Sequence, residues 1–308
     1  MNNKVDARFI GFIVESEYYK RFIWTNIGGA AQPNANAQIL TSFPFNLPPL
    51  LTQKKIASIL SAYDDLIENN THRITILEEM AQMIYREWFV KFRFPGYEEV
   101  KMVDSPLGKI PEGWEVKKVG DILQNIGRRK KIKKQEFLSE GQFPIVDQGA
   151  DLIGGYTNDF SAVNDEPLPL IVFGDHTRVL KFIDFPFVCG ADGTQLLYPS
   201  CKEMSPEYFY FSLCQVDLSN FGYARHFKFL KEKSILFPKK DLLQQFQEFA
   251  FNALKKISLL KSKNKNLCQT RDLLLPKLIS GKLDVSDLDI DIPEIDEPEL
   301  QASAEGEK

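Results

Sequence analysis

The residues best suited to chemistry in this 308-residue chain lie between Arg128 and Lys228, and their types point to binding rather than catalysis. Arg128-Arg129-Lys130-Lys131-Ile132-Lys133-Lys134 sets six cationic side chains in seven positions. Such a run neutralises phosphates and positions a nucleic acid without reading its sequence. Gln148, Asp175, His176, Thr177, Arg178, Arg225, His226 and Lys228 carry donors and acceptors of the kind that read base edges from loop tips. An isolated basic run is at least as often a solvated loop, and each polar residue taken singly is more often a surface or turn residue.

No catalytic constellation accompanies them. The sequence lacks a GxxxxGK(S/T) phosphate loop and a glycine-rich strand-to-helix turn, so no nucleotide or methyl-donor cofactor is expected. A (D/N)PP(F/Y/W) adenine-methyltransferase motif is also absent, Leu47-Pro48-Pro49-Leu50 being only superficially similar. His72, His176 and His226 have no metal-ligand spacing, and Cys189, Cys201, Cys214 and Cys268 form no CxxC pair. Neither a metal site nor a disulfide framework is expected, which fits a reducing, cytoplasmic setting. Gly174-Asp175-His176 reads as a turn with a polar tip rather than as an acid–base pair.

Composition narrows the class further. Hydrophobic content of 44% and charged content of 26% belong to ordinary globular protein, with length for roughly two domains. No window reaches the roughly 18 uninterrupted apolar residues of a membrane helix, and the polar start, Met1 to Arg8, lacks the apolar core of a signal peptide. The net charge of −4 is unevenly placed. Residues 283–308 hold ten acids against one base, a net −9 that leaves +5 for residues 1–282. The body is permissive for DNA, and residues 283–308 read as an acidic, disordered tail.

Two repeated elements must position the polar residues. After Leu47-Pro48-Pro49, apolar residues recur at alternating spacings of four and three: Ile56, Leu60, Tyr63, Ile67, Asn70, Ile74, Leu77, Ala81, Ile84 and Trp88. A second heptad seam follows Pro238: Phe246, Ala250, Ala253, Ile257, Leu260, Asn264, Leu267, Arg271 and Leu274. The two are offset by 190 residues, Pro48 standing opposite Pro238, so the chain carries one helical module twice.

Antiparallel pairing with Asn70 opposite Asn264 sets every layer on a seam position. Leu60 then meets Leu274, Tyr63 meets Arg271, Ile67 meets Leu267, Ile74 meets Leu260 and Leu77 meets Ile257. Ala81 meets Ala253, Ile84 meets Ala250 and Trp88 meets Phe246. A paired asparagine layer fixes such a register. Ile56 to Trp88 would span about 48 Å, the length of a strut rather than of a core helix.

The expected fold class is therefore α+β: a compact mixed domain flanked by two long helices in an antiparallel coiled coil. Residues 49–92 and 239–282 are the helices, and the Pro- and Gly-rich residues 93–114 a linker. Residues 115–238 form the domain between, with strands at Phe143–Val146, Leu170–Phe173, Phe182–Asp184 and Gln195–Tyr198 and a helix at Ser205–Val216. Residues 1–48 parallel the end of that domain: Ala7–Tyr19, Gly28–Asn34 and Phe43–Pro49 follow the order of Glu207–Leu213, Gly222–His226 and Ile235–Pro238. They read as the C-terminal remnant of a second such domain, whose apolar face (Phe9, Ile10, Phe12, Ile13) must dock on the helices or on another chain.

These residues also carry a family resemblance. Leu47-Pro48-Pro49-Leu50, Gln53-Lys54-Lys55-Ile56-Ala57 and Asp64-Asp65-Leu66-Ile67-Glu68-Asn69-Asn70 resemble the central conserved region of type I restriction-modification specificity subunits. So does the continuation through Leu77-Glu78-Glu79-Met80-Ala81-Gln82 to Tyr85-Arg86-Glu87-Trp88-Phe89-Val90-Lys91-Phe92-Arg93-Phe94-Pro95-Gly96. Ile110-Pro111-Glu112-Gly113-Trp114 is similar to the start of their target-recognition domains, and Ile171–Arg178 to a loop inside them. Leu275-Pro276-Lys277-Leu278-Ile279-Ser280-Gly281-Lys282-Leu283 resembles the close of the distal conserved region. The likeness covers residues 5–285.

The resemblance implies a non-catalytic subunit that binds double-stranded DNA, joins methyltransferase (M) subunits and, through them, motor-nuclease (R) subunits. Two target domains would read the halves of a split site, with the helices as ruler: about 48 Å exceeds one turn of DNA, about 34 Å. The methyltransferase would flip the adenine, and this chain would choose where. The chain departs from the family in showing one target domain and a remnant. It thus pairs with a second copy of itself, complements a separate half, or is a silent cassette. A coiled-coil adaptor with a protein-binding domain is the alternative from another class, and it predicts that DNA is irrelevant.

Overall fold

The computed structural model describes residues 4–27, 35–127, 129–222 and 225–292. Gly28–Asn34, Arg128 and residues 293–308 of the acidic tail lie outside the described residues. The α-helices are α1 (Ala7–Glu15), α2 (Glu17–Asn26), α3 (Ala37–Thr41), α4 (Leu50–Tyr85), α5 (Pro206–Cys214), α6 (His226–Glu232) and α7 (Lys240–Ile279). None of the described helices is long and apolar enough to cross a membrane. The chain divides into two compact units, residues 1–74 with 260–308 and residues 75–259, and each long helix contributes a part to both.

In the first unit the heptad spacing brings α4 and α7 together in opposite directions. Asn70 Nδ2 donates to Asn264 Oδ1 at 2.8 Å, and Asn264 Nδ2 donates to Ile67 O at 3.2 Å and to Thr71 Oγ1 at 3.1 Å. Arg271 pairs with Asp64, the neighbour of the Tyr63 that the layer scheme set opposite it. A guanidinium takes the carboxylate one residue along because the pair sits at the edge of the seam, where both ends stay hydrated. Leu60 is fully buried, and Ile74 and Leu260 are buried; Ile67, Leu267 and Leu274 are half-buried.

Residues 4–27 dock on these helices through α1. Asp6 caps α1 by accepting from Phe9 N, and Ser16 caps α2 by accepting from Tyr19 N. Phe9 and Ile13 are buried with Ile56, Ala57, Leu60, Leu275 and Leu278. Gln53, fully buried, ties the segment down: Oε1 accepts from Asp6 N at 2.9 Å, and Nε2 donates to Lys4 O and Pro48 O. The repeat is clearest in element starts. α2, α3 and α4 begin 189, 189 and 190 residues before α5, α6 and α7. The counterpart of the Glu207–Leu213 stretch is thus α2 rather than the whole of Ala7–Tyr19, and α1 has no helical counterpart.

Residues 283–292 differ from the expected solvated tail. Val285 is 1% exposed in the cluster with Phe9 and Ile56, and Ile290 packs on it. Lys55 Nζ donates to Ser286 O at 2.6 Å and Leu288 O at 2.8 Å, while Ser58 Oγ donates to Asp291 O at 2.9 Å. Two apolar residues five apart, with backbone carbonyls facing a lysine, suffice to hold a segment whose side chains are mostly acidic.

The second unit is α+β. Its strands are β1 (Met102–Ser105), β2 (Gly108–Pro111), β3 (Glu115–Lys118), β4 (Phe143–Val146), β5 (Gly155–Thr157), β6 (Val163–Asn164), β7 (Leu170–Gly174), β8 (Leu180–Ile183), β9 (Phe187–Cys189), β10 (Thr194–Leu197) and β11 (Ser234–Phe237). They form a sheet in the order β5-β4-β9-β6, an antiparallel sheet β10-β7-β8, and the pairs β1-β2 and β3-β11. The expected linker therefore contains a hairpin, with Met102 opposite Pro111.

Aromatic side chains fill the core of this unit. Tyr85 and Phe89 from the α4 end, Tyr208 from α5 and Phe246 from α7 are mutually in contact, with Phe89 to Phe246 centroids at 5.1 Å and Phe89 to Tyr208 at 4.9 Å. α4 does not run on to residue 92 as one α-helix: Arg86–Val90 is a π-turn, and Lys91 N donates to Arg86 O at 2.8 Å. The extra residue per turn rotates Trp88 and Phe89 so that both reach Phe246. Trp114 then packs on Phe89, Phe92 and Phe94, and Gly113, at φ +85°, supplies the left-handed turn that swings it inward.

Candidate nucleic-acid interface

The basic run folds as an edge segment rather than as a free loop, because Ile132 is apolar among cations and is 3% exposed. Its N–H donates to Cys189 O at 3.0 Å, and its carbonyl accepts from Ala191 N at 2.7 Å, a parallel bridge to Gly190 just past the end of β9. That anchoring turns Arg129, Lys130, Lys131, Lys133 and Lys134 outward, and all five are exposed. Their partners differ. Lys130 pairs with Asp159 at 2.8 Å, and Arg129 approaches Asp165 at 3.9 Å. The Lys130 hydrogen bond, with one from Ser161, holds the Asp159 carboxyl down to about 2. Lys131 Nζ donates to the carbonyl of Thr194.

The polar loop residues meet at the same edge. β7 ends at Gly174 and turns through Asp175-His176-Thr177-Arg178 into β8, with Gly174 N donating to Val179 O and Arg178 N to Gly174 O. The turn places Arg178 at φ +64°, a strained conformation for a side-chain-bearing residue, and Arg178 Nη1 donates to Leu218 O at 3.2 Å. Gln148 bridges to this turn. Its Oε1 accepts from His176 N at 3.1 Å, and its carbonyl accepts from Thr177 Oγ1 at 2.7 Å. Gly193, at φ +77°, closes over both: a Cβ there would lie 2.9 Å from the Gln148 amide and from the His176 ring. Asp175 N donates to Gly193 O at 2.7 Å.

Asp175 and His226 are not loop-tip side chains, which corrects their assignment as base readers. Asp175 is 5% and His226 2% exposed. Asp175 Oδ1 accepts from Phe227 N at 2.8 Å, and Asp175 O accepts from His226 N at 2.8 Å, so Asp175 holds the first turn of α6. The His226 ring nitrogens face two carbonyls, Asp175 O at 2.9 Å and Phe221 O at 3.1 Å. Arg225 and Lys228, on either side, are exposed.

Sequence reasoning missed Lys181. It is 5% exposed on β8, donates to Asp147 O at 2.8 Å and to Asp151 O, and lies 3.8 Å from Asp147 Oδ1. Burial lowers its pKa, opposed by Asp147 and Asp151. Through these bonds Lys181 fixes the loop that carries Gln148. Its flanks, Leu180 and Phe182, alternate with it as a strand should, but a lysine on the inward face is legible only once the 147–151 carbonyls are in place. Cys189 is buried beside Asn164, and desolvation pushes its thiol up to about 11, outside nucleophilic chemistry at neutral pH.

Cationic side chains beside the tips of polar loops, on an α+β scaffold, have the chemistry that holding a polyanion requires. The chain belongs to the type I restriction modification DNA specificity domain family, whose model matches residues 1–79 and 111–269. It is 27% identical over 306 residues to the MjaIX specificity subunit of Methanocaldococcus jannaschii, covering 92% of this chain and 71% of that one. The HindI specificity subunit of Haemophilus influenzae is 24% identical over 353 residues, covering 87% of this chain and 74% of that subunit. The fold resembles the crystal structure of the S subunit from M. genitalium, with a TM-score of 0.57, 19% identity, and 90% of this chain and 73% of that one covered.

Proposed function

We propose that this chain is a non-catalytic DNA-reading subunit of a type I restriction-modification complex. Residues 115–238 read one half of a bipartite site, and the long helices α4 and α7 dock methyltransferase subunits, which in turn recruit motor-nuclease subunits. A second copy of the chain, or a separate half, supplies the other recognition element. Arg128, Arg129, Lys130, Lys131, Lys133 and Lys134 contact phosphates, while Gln148, His176, Thr177, Arg178, Arg225 and Lys228 present polar groups toward the grooves.

One observation carries this reading: the basic segment and the polar loops share a single edge, joined by Lys131 to Thr194 O, Ile132 to Cys189 O and Asp175 to Gly193 O. Phosphate contacts and groove contacts must be fixed relative to one another for sequence to be read, and these bonds fix them. The test is duplex binding between about 50 and 200 mM salt. Replacing Lys131, Lys133 and Lys134 with Gln weakens binding to all sequences and flattens its dependence on salt by about one slope unit for each phosphate left without its cation. Binding that ignores salt and these substitutions sinks the proposal and favours a protein-binding adaptor.

A further inference from the structure

Phe160 stands apart from the residues assigned to DNA above. It is 66% exposed at the start of a single 3₁₀ turn, Phe160–Ala162, where an apolar ring of this size gains nothing from water. The ring is not loose. It stands edge-on to Phe143 with centroids 4.8 Å apart, so one face is set by the β4 strand and the rest projects outward. Asp159 caps the turn, accepting from Ser161 N at 3.0 Å, and the same carboxylate binds Lys130 at 2.8 Å. Asp165, five residues after Phe160, faces Arg129 at 3.9 Å. The exposed ring is thus bracketed by two acids that bind the first half of the cationic edge.

These ion pairs lie in water, where such pairs contribute little to stability. Arg129 and Lys130 can therefore exchange a carboxylate for a phosphate at small cost, and a backbone drawn to them passes beside the Phe160 ring. We propose that Phe160 is a DNA-contacting residue, its ring pressed against a deoxyribose or base of the duplex as an apolar wedge beside the phosphates held by Arg129 and Lys130. Proteins that combine cationic and apolar contacts to DNA use bulky apolar side chains in this way. The inference rests on the DNA-reading function proposed above.

The experiment uses the full chain and fluorescently labelled duplex fragments of genomic DNA, titrated at several salt concentrations. It compares wild type, Phe160→Ala, Phe160→Trp and the Lys131, Lys133 and Lys134 to Gln variant. Phe160→Ala weakens binding about tenfold at every salt concentration with an unchanged salt slope, in the range found for base–aromatic contacts. Phe160→Trp retains affinity, and melting curves show both variants folded as wild type. If Phe160→Ala binds as wild type while the lysine variant shows the flatter salt dependence, the wedge is overturned and the DNA-reading function stands. If wild type and both sets of variants bind weakly and without salt dependence, the DNA-reading function fails and the wedge with it.

Discussion

Asn70 and Asn264 face each other across the helix pair, one side-chain amide donating to the other at 2.8 Å. The amide of Asn264 also reaches Ile67 O and Thr71 Oγ1, so hydrogen bonds tie this one polar layer together amid leucine and isoleucine. An apolar layer would pack as well a heptad out of step; a polar one satisfies its donors in one register only. Where register sets the spacing of DNA-reading elements, a layer of this kind is worth some stability.

The register contribution is measurable. Asn264→Ala leaves the Asn70 amide without its partner in a half-buried seam and lowers stability by about 1–2 kcal/mol. Asn70→Leu with Asn264→Leu removes both polar groups and raises the melting temperature, while disulfide trapping between the helices reports mixed registers. A double-mutant cycle with no coupling between the two positions would show that the layer does not act as a unit.

Asp175 ties the β7–β8 turn to α6 through Phe227 N and through its own carbonyl. Asp175→Ala removes that cap and leaves a partly buried amide without its acceptor, lowering stability by about 1–2 kcal/mol. Asp175→Asn, which keeps an acceptor, loses less. Denaturant midpoints separate the two, and equal losses would mean that the carboxylate charge, not the hydrogen bond, holds α6.

Glu207 gives a pH signature. It is 3% exposed at the first turn of α5, its Oε2 has no hydrogen-bond partner among the described residues, and burial raises its pKa above the ordinary 4.5. A carboxyl with a raised folded pKa favours folding below its unfolded value, and that contribution is lost as pH rises through the folded value. Glu207→Gln therefore raises the melting temperature at pH 8 by a few degrees, with the gain closing as pH falls toward 4.5. A gain independent of pH, or a loss at pH 8, contradicts this assignment.

Much of the scaffold is legible in the sequence because it rests on local period. The ten positions of the first seam are all buried or half-buried, and the strands at Phe143, Leu170, Phe182 and Gln195 fall within two residues of β4, β7, β8 and β10. What escapes is non-local. β3 reads Glu-Val-Lys-Lys and becomes a strand only by pairing with Ser234–Phe237, more than a hundred residues away. β9 is three residues long behind Pro186 and gains its place from parallel pairing with β4. The same limit governs the site. Polar residues at turns identify the loop cluster, but whether Asp175, His226 or Lys181 points to solvent or into the fold depends on carbonyls supplied by distant segments. Buried polar groups are set by their partners, and partners are what one-dimensional spacing does not contain.

We propose that this chain chooses the DNA sequence a methyltransferase modifies. The direct measurement is to express it with its cognate methyltransferase, and no other specificity subunit, in a host lacking adenine methylation, and to map modified adenines by long-read sequencing. The predicted result is one bipartite motif, symmetric if two copies pair, that fades when Lys131, Lys133 and Lys134 are replaced by Gln and shifts when Gln148 and Thr177 are replaced. A co-purifying complex that methylates no restricted motif, or a motif indifferent to all of these substitutions, would contradict it.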